Sequence, residues 1–172
     1  MSEPTTCAAR CPHDDAYCDN CDRLVGLPGV HVIGVDRRPA GLVVEVESPP
    51  AMMGCPTCGV VARSHGRRTV TLVDIPCFGA PTRVRWRKRT WTCPEPSCPV
   101  GVFTEQDEQI AKPRAMLTTR ACRWATEQVR REHASIAGLA RQLATTWRTV
   151  WTSIEPILAR AAADESRFTG VT

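Results

Sequence analysis

Cys55-Pro56-Thr57-Cys58-Gly59 and Cys93-Pro94-Glu95-Pro96-Ser97-Cys98 bracket the part of the chain whose reading decides the fold. Each is a short Pro-bearing turn that can aim two thiolates at one point. Two such turns supply the four soft ligands of a tetrahedral Zn²⁺ site. The segment between them becomes a loop clamped at its base. Thiolates gather only in the folded chain, so metal binding there is also folding free energy. Two disulfides or four buried thiols are the other readings of the same residues. Ten cysteines in 172 residues, without a basic and apolar leader at the N-terminus, fit a reducing, cytoplasmic setting in which clustered thiols hold metal. No apolar run approaches the length of a membrane span, so no membrane partner is expected.

Working outward from the clamp, residues 69–75 (TVTLVDI) are β-branched and apolar, and Pro76, Gly79 and Pro81 mark a turn. Residues 82–92 (TRVRWRKRTWT) alternate, so that on a strand Arg83, Arg85, Arg87 and Arg89 share one face, opposite Val84, Trp86 and Lys88. Four same-face guanidinium groups repel one another unless an anion lies close. Phosphate contact is therefore the functional reading, beside that of a solvated outer face. Cys77, in the turn without a partner at metal spacing, reads as structural. Upstream, Val30, Val32 and Val35 lead through a turn at 36–41 into 42–47 (LVVEVE), a β-hairpin ended by Pro49 and Pro50. Residues 25–104 thus form one small β module. Residues 1–24 are polar and carry Cys7, Cys11, Cys18 and Cys21, with His13 among them. That spacing admits a second zinc site, although a tail without fixed structure is the preferred reading.

Charge falls in blocks. Residues 1–50 carry a net −4, residues 51–89 +7, residues 90–111 −4 and residues 112–160 +6, with −1 in the remainder. Two basic blocks on separate elements point to a polyanion partner.

The second half has helical periodicity. After an acidic and polar connector at 104–112 that could open a helix, Thr118 or Thr119 can cap a helix reaching about Arg131, with Ala121, Cys122, Ala125 and Val129 on one stripe. Ser135 opens another, burying Ile136, Leu139, Ala140 and Leu143. A third starts at Thr146 and is expected to end or kink near Glu155, because Pro156 lacks an amide N–H. Residues 135–151 (SIAGLARQLATTWRTVW) read as a helix-turn-helix. Ala140 permits a close crossing, and Ile136, Leu139, Leu143, Val150 and Ile154 make the seam. Thr145, Thr146, Arg148, Thr149 and Thr152 would face outward, with hydroxyls for phosphates and an arginine for base edges. Trp147 and Trp151 lie on one face, one expected in the core and the other half-exposed. The fold class is α+β: a zinc-bound β module, an all-α module at 105–163, and a tail at 164–172.

A C-P-x-C-G turn, the strand end Asp74-Ile75-Pro76, a basic strand into a second C-x4-C, Phe103 and Glu105 as F-x-E, and the helix-turn-helix together resemble the N-terminal half of insertion-sequence transposases of the ISL-three group. The resemblance spans residues 24–172, leaving the cysteines at 7–21 outside it. It implies a zinc module and a helix-turn-helix that recognise terminal inverted repeats in double-stranded DNA, alone, as a homodimer or with full-length transposase. In that family a ribonuclease-H-like domain with three metal-binding carboxylates follows. Here the sequence stops at Thr172, and adjacent Asp164 and Glu165 do not make such a set. The expectation is a truncated transposase that binds element ends without cutting them and has no catalytic residues. A zinc-containing helix-turn-helix transcription regulator is the alternative, and a protein-interaction zinc module with a basic face is a third reading.

Overall fold

A computed structural model describes residues 17–164. Cys7 and Cys11, half of the second cysteine group, lie outside the described residues, as does the tail beyond Asp164.

Alternation of apolar and polar residues builds a five-stranded mixed sheet. Strands β1 (His31–Arg38) and β2 (Gly41–Glu47) form the expected hairpin. Gly41, at φ 133°, is the one residue that fits its turn: a Cβ there would stand 2.1 Å from the Pro81 carbonyl oxygen. Strands β3 (Arg63–Cys77) and β4 (Ala80–Thr92) form a longer hairpin, and β5 (Val102–Thr104) pairs with the end of β4. The order is β1-β2-β4-β3, with β2 and β4 parallel from Leu42↔Thr82 to Glu47↔Arg87. The first hairpin is thus continuous with the zinc-flanked strands. Strand β3 begins six residues before the apolar run at 69–75, because backbone pairing with β4 carries it to Arg63↔Thr92.

One sheet face carries Val44, Val46, Leu72, Val84 and Trp86. It is closed by Leu27, Val30, Ile110 and Ala111. The connector after β5 forms turns rather than a helix start, and it plugs Ile110 into this core. Within the stretch read as a tail, helix α1 (Asp19–Val25) is tied to the sheet. Asp22 accepts from the Val32 amide at 2.7 Å and meets His31 Nδ1 at 2.7 Å. Tyr17 stacks on His31 and donates to Glu47 Oε1 at 2.8 Å. Cys18 is buried, and Cys21 packs against the core.

Three helices follow: α2 (Thr119–Glu132), α3 (Ile136–Gln142) and α4 (Trp147–Ala163). Each has a hydroxyl cap. Thr118 accepts from the Ala121 amide, Ser135 from Gly138 and Thr146 from Thr149, each worth about 1 kcal/mol. Their core joins Ala121, Ala125, Leu139, Ala140, Leu143, Val150 and Ile154 to Val73 of β3 and to Leu117. Helix α4 does not end at Glu155 but continues through Pro156 to Ala163. Pro156 and Thr152, whose carbonyl the missing N–H would have met, are both exposed, so water can satisfy that carbonyl. Burial of Ile154 and packing of Leu158 hold the helix on either side. Neither Trp147 nor Trp151 enters the core. They stack with ring centroids 5.9 Å apart, and Trp147 is 52 % exposed. None of the described helices is long and apolar enough to cross a membrane.

Candidate metal centre and adjoining basic surface

The two cysteine turns meet as local geometry requires. In the first, the Gly59 amide returns to the Cys55 carbonyl (2.9 Å) and the Cys55 amide donates to the Val60 carbonyl (2.8 Å). Gly59 takes φ 75°, which releases the chain after the second ligand. In the second turn, the Cys98 amide donates to the Glu95 carbonyl at 3.1 Å and the Cys93 amide to Gly101 at 3.0 Å. Cys55 and Cys93 are buried, Cys98 is half-buried and Cys58 faces out.

The ligand atoms of Cys55, Cys58, Cys93 and Cys98 all lie within 4.8 Å of one another. Cys55 Sγ and Cys98 Sγ are 3.7 Å apart, and Cys58 Sγ and Cys93 Sγ 3.5 Å. A tetrahedron with Zn–S bonds near 2.3 Å has sulfur–sulfur edges of about 3.8 Å, so the spacing fits zinc. The four cysteines form a zinc-binding cluster. With all four positions taken by thiolate the site is closed, and its chemistry is structural.

The electrostatics of the thiols agree. Amides of Cys58 and Thr57 aim at Cys55 and pull its thiol down to about 6. At Cys93 the Glu95 amide pulls downward, but burial and hydrogen bonding with Cys58, Cys55 and Cys98 outweigh it and push the thiol up to about 12. Cys55 ionises readily, then, while Cys93 and Cys98 hold their protons. A divalent cation removes that conflict by neutralising the charges together.

The arginines of β4 do share one face, but their charge is largely engaged. Arg83 Nη1 donates to the Leu143 carbonyl at 3.0 Å and Nη2 to the Ala144 carbonyl at 2.6 Å, both in the turn between α3 and α4. Desolvation lowers the pKa of this guanidinium. Arg85 Nη1 reaches Glu45 Oε1 at 2.5 Å. Arg87 and Arg67 share Glu47 Oε2 at 3.5 and 3.2 Å. Arg89 Nε lies 3.4 Å from the Ser48 carbonyl. Glu45 and Glu47 were missed as partners of the row. Their two-residue spacing on β2 was visible, but their alignment with Arg85 and Arg87 follows only from the parallel register.

A second missed element joins sheet to helices. Asp74, buried at the end of β3, accepts from Thr118 Oγ1 at 2.6 Å and from Arg120 of α2. The Val73 amide donates to Met116, and the Thr118 amide returns to Val73. The F-x-E glutamate, Glu105, ties strands together in the same way. It accepts from Ser48 Oγ and the Arg89 amide, each at 2.6 Å, while Ser48 accepts from Trp86 Nε1 at 2.9 Å.

At the start of α4, Thr146 and Arg148 are exposed, Thr145 and Thr149 half-buried, and Thr152 exposed. Three hydroxyls already serve the backbone or one another: Thr146 caps the helix and meets Thr149 Oγ1 at 2.8 Å, and Thr152 donates to the Arg148 carbonyl at 2.8 Å. The Arg148 side chain has no ion-pair partner among the described residues.

Residues 52–98 match the family model of the zinc-finger of transposase IS204/IS1001/IS1096/IS1165. The match contains all four clustered cysteines and the whole β3–β4 hairpin, and the helices lie outside it. No curated protein and no solved structure matches the chain.

Proposed function

We propose that the chain is a DNA-recognition part of a transposase, in which α3 and α4 act as a helix-turn-helix on duplex DNA and the zinc-clamped sheet holds them in place. The observation that carries this reading is the exposed N-terminal end of α4. It has Arg148 standing without an ion-pair partner among the described residues, above a seam of Leu139, Ala140, Leu143, Val150 and Ile154. A small residue at the crossing and a helix end open to solvent suit docking in the major groove. The matched zinc-finger family supplies the second support, since moving DNA ends requires a protein that holds them.

Within this reading Arg148 meets a base edge, and Thr145, Thr146, Thr149 and Thr152 lie against the phosphates flanking it. Arg83 acts through another element: its fork closes on the two carbonyls of the turn and so positions α4 relative to the sheet. Arg85, Arg87 and Arg89 line the face beside that junction. The target is the terminal inverted repeats of an insertion element, and no bond-breaking step is assigned to these residues.

Selection from a random duplex library tests the proposal. Enrichment of one motif, found at the ends of an insertion element, is expected. Arg148→Ala should cost about 1–3 kcal/mol on the selected site while leaving non-specific binding nearly unchanged. A library that returns without a preferred sequence refutes the helix-turn-helix reading.

A further inference from the structure

The basic charge left uncommitted by the β4 row lies on β3. Residues 63–69 are exposed throughout, and β3 is the edge of the sheet. Its open side is covered only farther along, where Met116 and Thr118 bond to Val73. Between Arg63 and Arg68 the outer edge therefore offers both side chains and unpaired backbone amides, a combination suited to phosphate oxygens.

The register concentrates charge in this half of the hairpin. Arg67 stands opposite Arg89, and Arg68 opposite Lys88. These are successive like-charge pairs, one on each face of the ribbon, and such pairs are destabilising without a counter-ion. The acids near them are few. Glu47 is shared by Arg67 and Arg87, Glu105 is bonded to Ser48 and the Arg89 amide, and Glu105 and, more weakly, Asp107 act on Lys88 from a distance. Burial pushes the Lys88 ammonium down. Arg68 adds to the shift, and Lys88 settles against Gln106 Oε1 at 2.7 Å and 4.3 Å from a ring centroid of Trp86. The side chains of Arg63, His65 and Arg68 have no hydrogen-bond or ion-pair partner among the described residues. Arg63 pairs with Thr92, whose neighbour Cys93 is a zinc ligand, so the clamp fixes the ribbon at its base.

We infer that Arg63 and Arg68 on the open edge of β3 form a second contact for the sugar-phosphate backbone of duplex DNA, apart from the α4 surface. The inference rests on the DNA-binding reading above and assigns the ribbon a different role from α4. Backbone contacts add affinity and salt dependence to every sequence alike, whereas base contacts add preference. The ribbon thus supplies grip and α4 supplies choice.

The double variant Arg63→Gln/Arg68→Gln tests this by fluorescence anisotropy on a labelled mixed-sequence DNA duplex across a salt series. Both side chains are exposed and make no bond to another described residue, so zinc content and circular dichroism should stay at wild-type values. Losing two phosphate contacts should reduce the slope of log Kd against log salt by about 1.8, with Arg63→Lys/Arg68→Lys restoring most of it. An unchanged slope in the glutamine variant overturns the ribbon contact while leaving the α4 reading intact. A wild-type chain that binds no duplex overturns both. Displacement of the duplex by poly-glutamate at matched charge would move this surface to an acidic protein and likewise overturn the assignment.

Discussion

Asp74→Asn removes one charge while almost preserving the side chain's shape, and it strikes the joint between sheet and helices. Asp74 is 0 % exposed and accepts from Thr118 Oγ1 at 2.6 Å and Arg120 Nε at 2.9 and 3.1 Å, with Arg120 Nη2 closing the fork. The Arg120 side chain is only 23 % exposed. Deleting one partner of a buried pair leaves the other desolvated and costs about 3–5 kcal/mol. Arg120 keeps its bond to the Val25 carbonyl and an edge in water, which places the loss near the lower figure, about 3 kcal/mol. For a chain of 172 residues that corresponds to a fall in Tm of about 6–12 °C. Urea unfolding followed by tryptophan fluorescence and circular dichroism measures it. A cycle with Arg120→Met then isolates the pair, because the double variant leaves no uncompensated charge and should lose less than the two single losses added together. A single-variant loss below about 1 kcal/mol, or losses that simply add, would refute the view that this pair joins the two cores.

Three further outcomes follow from the same structure. Cys93→Ser should abolish stoichiometric zinc binding and loosen the β3–β4 hairpin at its metal end while the rest of the sheet stays folded, read by metal analysis and circular dichroism, and a variant retaining one zinc per chain would break the four-cysteine assignment. In the metal-free, reduced chain, the Cys55 thiol has a lowered pKa, so its thiolate forms as pH rises through about 6 and is lost below it. The ultraviolet thiolate signal should show that step in the wild type but not in Cys55→Ser, and its absence from the wild type removes the role given to the Thr57 and Cys58 amides. Arg83→Ala frees the carbonyls of Leu143 and Ala144 and should cost about 1–3 kcal/mol of stability. Arg83→Lys, lacking the planar fork, should restore little of it, and full rescue by lysine would show that only the charge matters.

Much of the site was legible because its causes are short-ranged. A C-x2-C turn and a C-x4-C turn set their own geometry within a few residues, and the hydroxyl caps Thr118, Ser135 and Thr146 each act on an amide three residues away. The arginine face of β4 followed from strand period alone. Its electrostatic state did not, since Glu45 and Glu47 lie about forty residues away and face Arg85 and Arg87 only through a parallel pairing. The end of α4 was misjudged at Pro156 because a proline's cost depends on whether the carbonyl it leaves unbonded meets water, and here that carbonyl belongs to an exposed turn. The tryptophan pair was misjudged for a related reason: helical spacing aligns the rings but does not say which neighbour covers them.

By itself, then, the sequence determined the ligands of the metal, the β3–β4 strands between them and the hydroxyl residues that cap α2, α3 and α4. These depend on backbone chemistry and on contacts along one element. Only the tertiary structure decided which arginines keep their charge for a partner. It directed Arg83 into a helix turn, gave Arg85 and Arg87 to carboxylates on β2 and left Arg63 and Arg68 open on the edge of β3. The physical reason is that a charge is neutralised by whatever the fold brings within a few ångströms, and strand order, not local sequence, sets that neighbour.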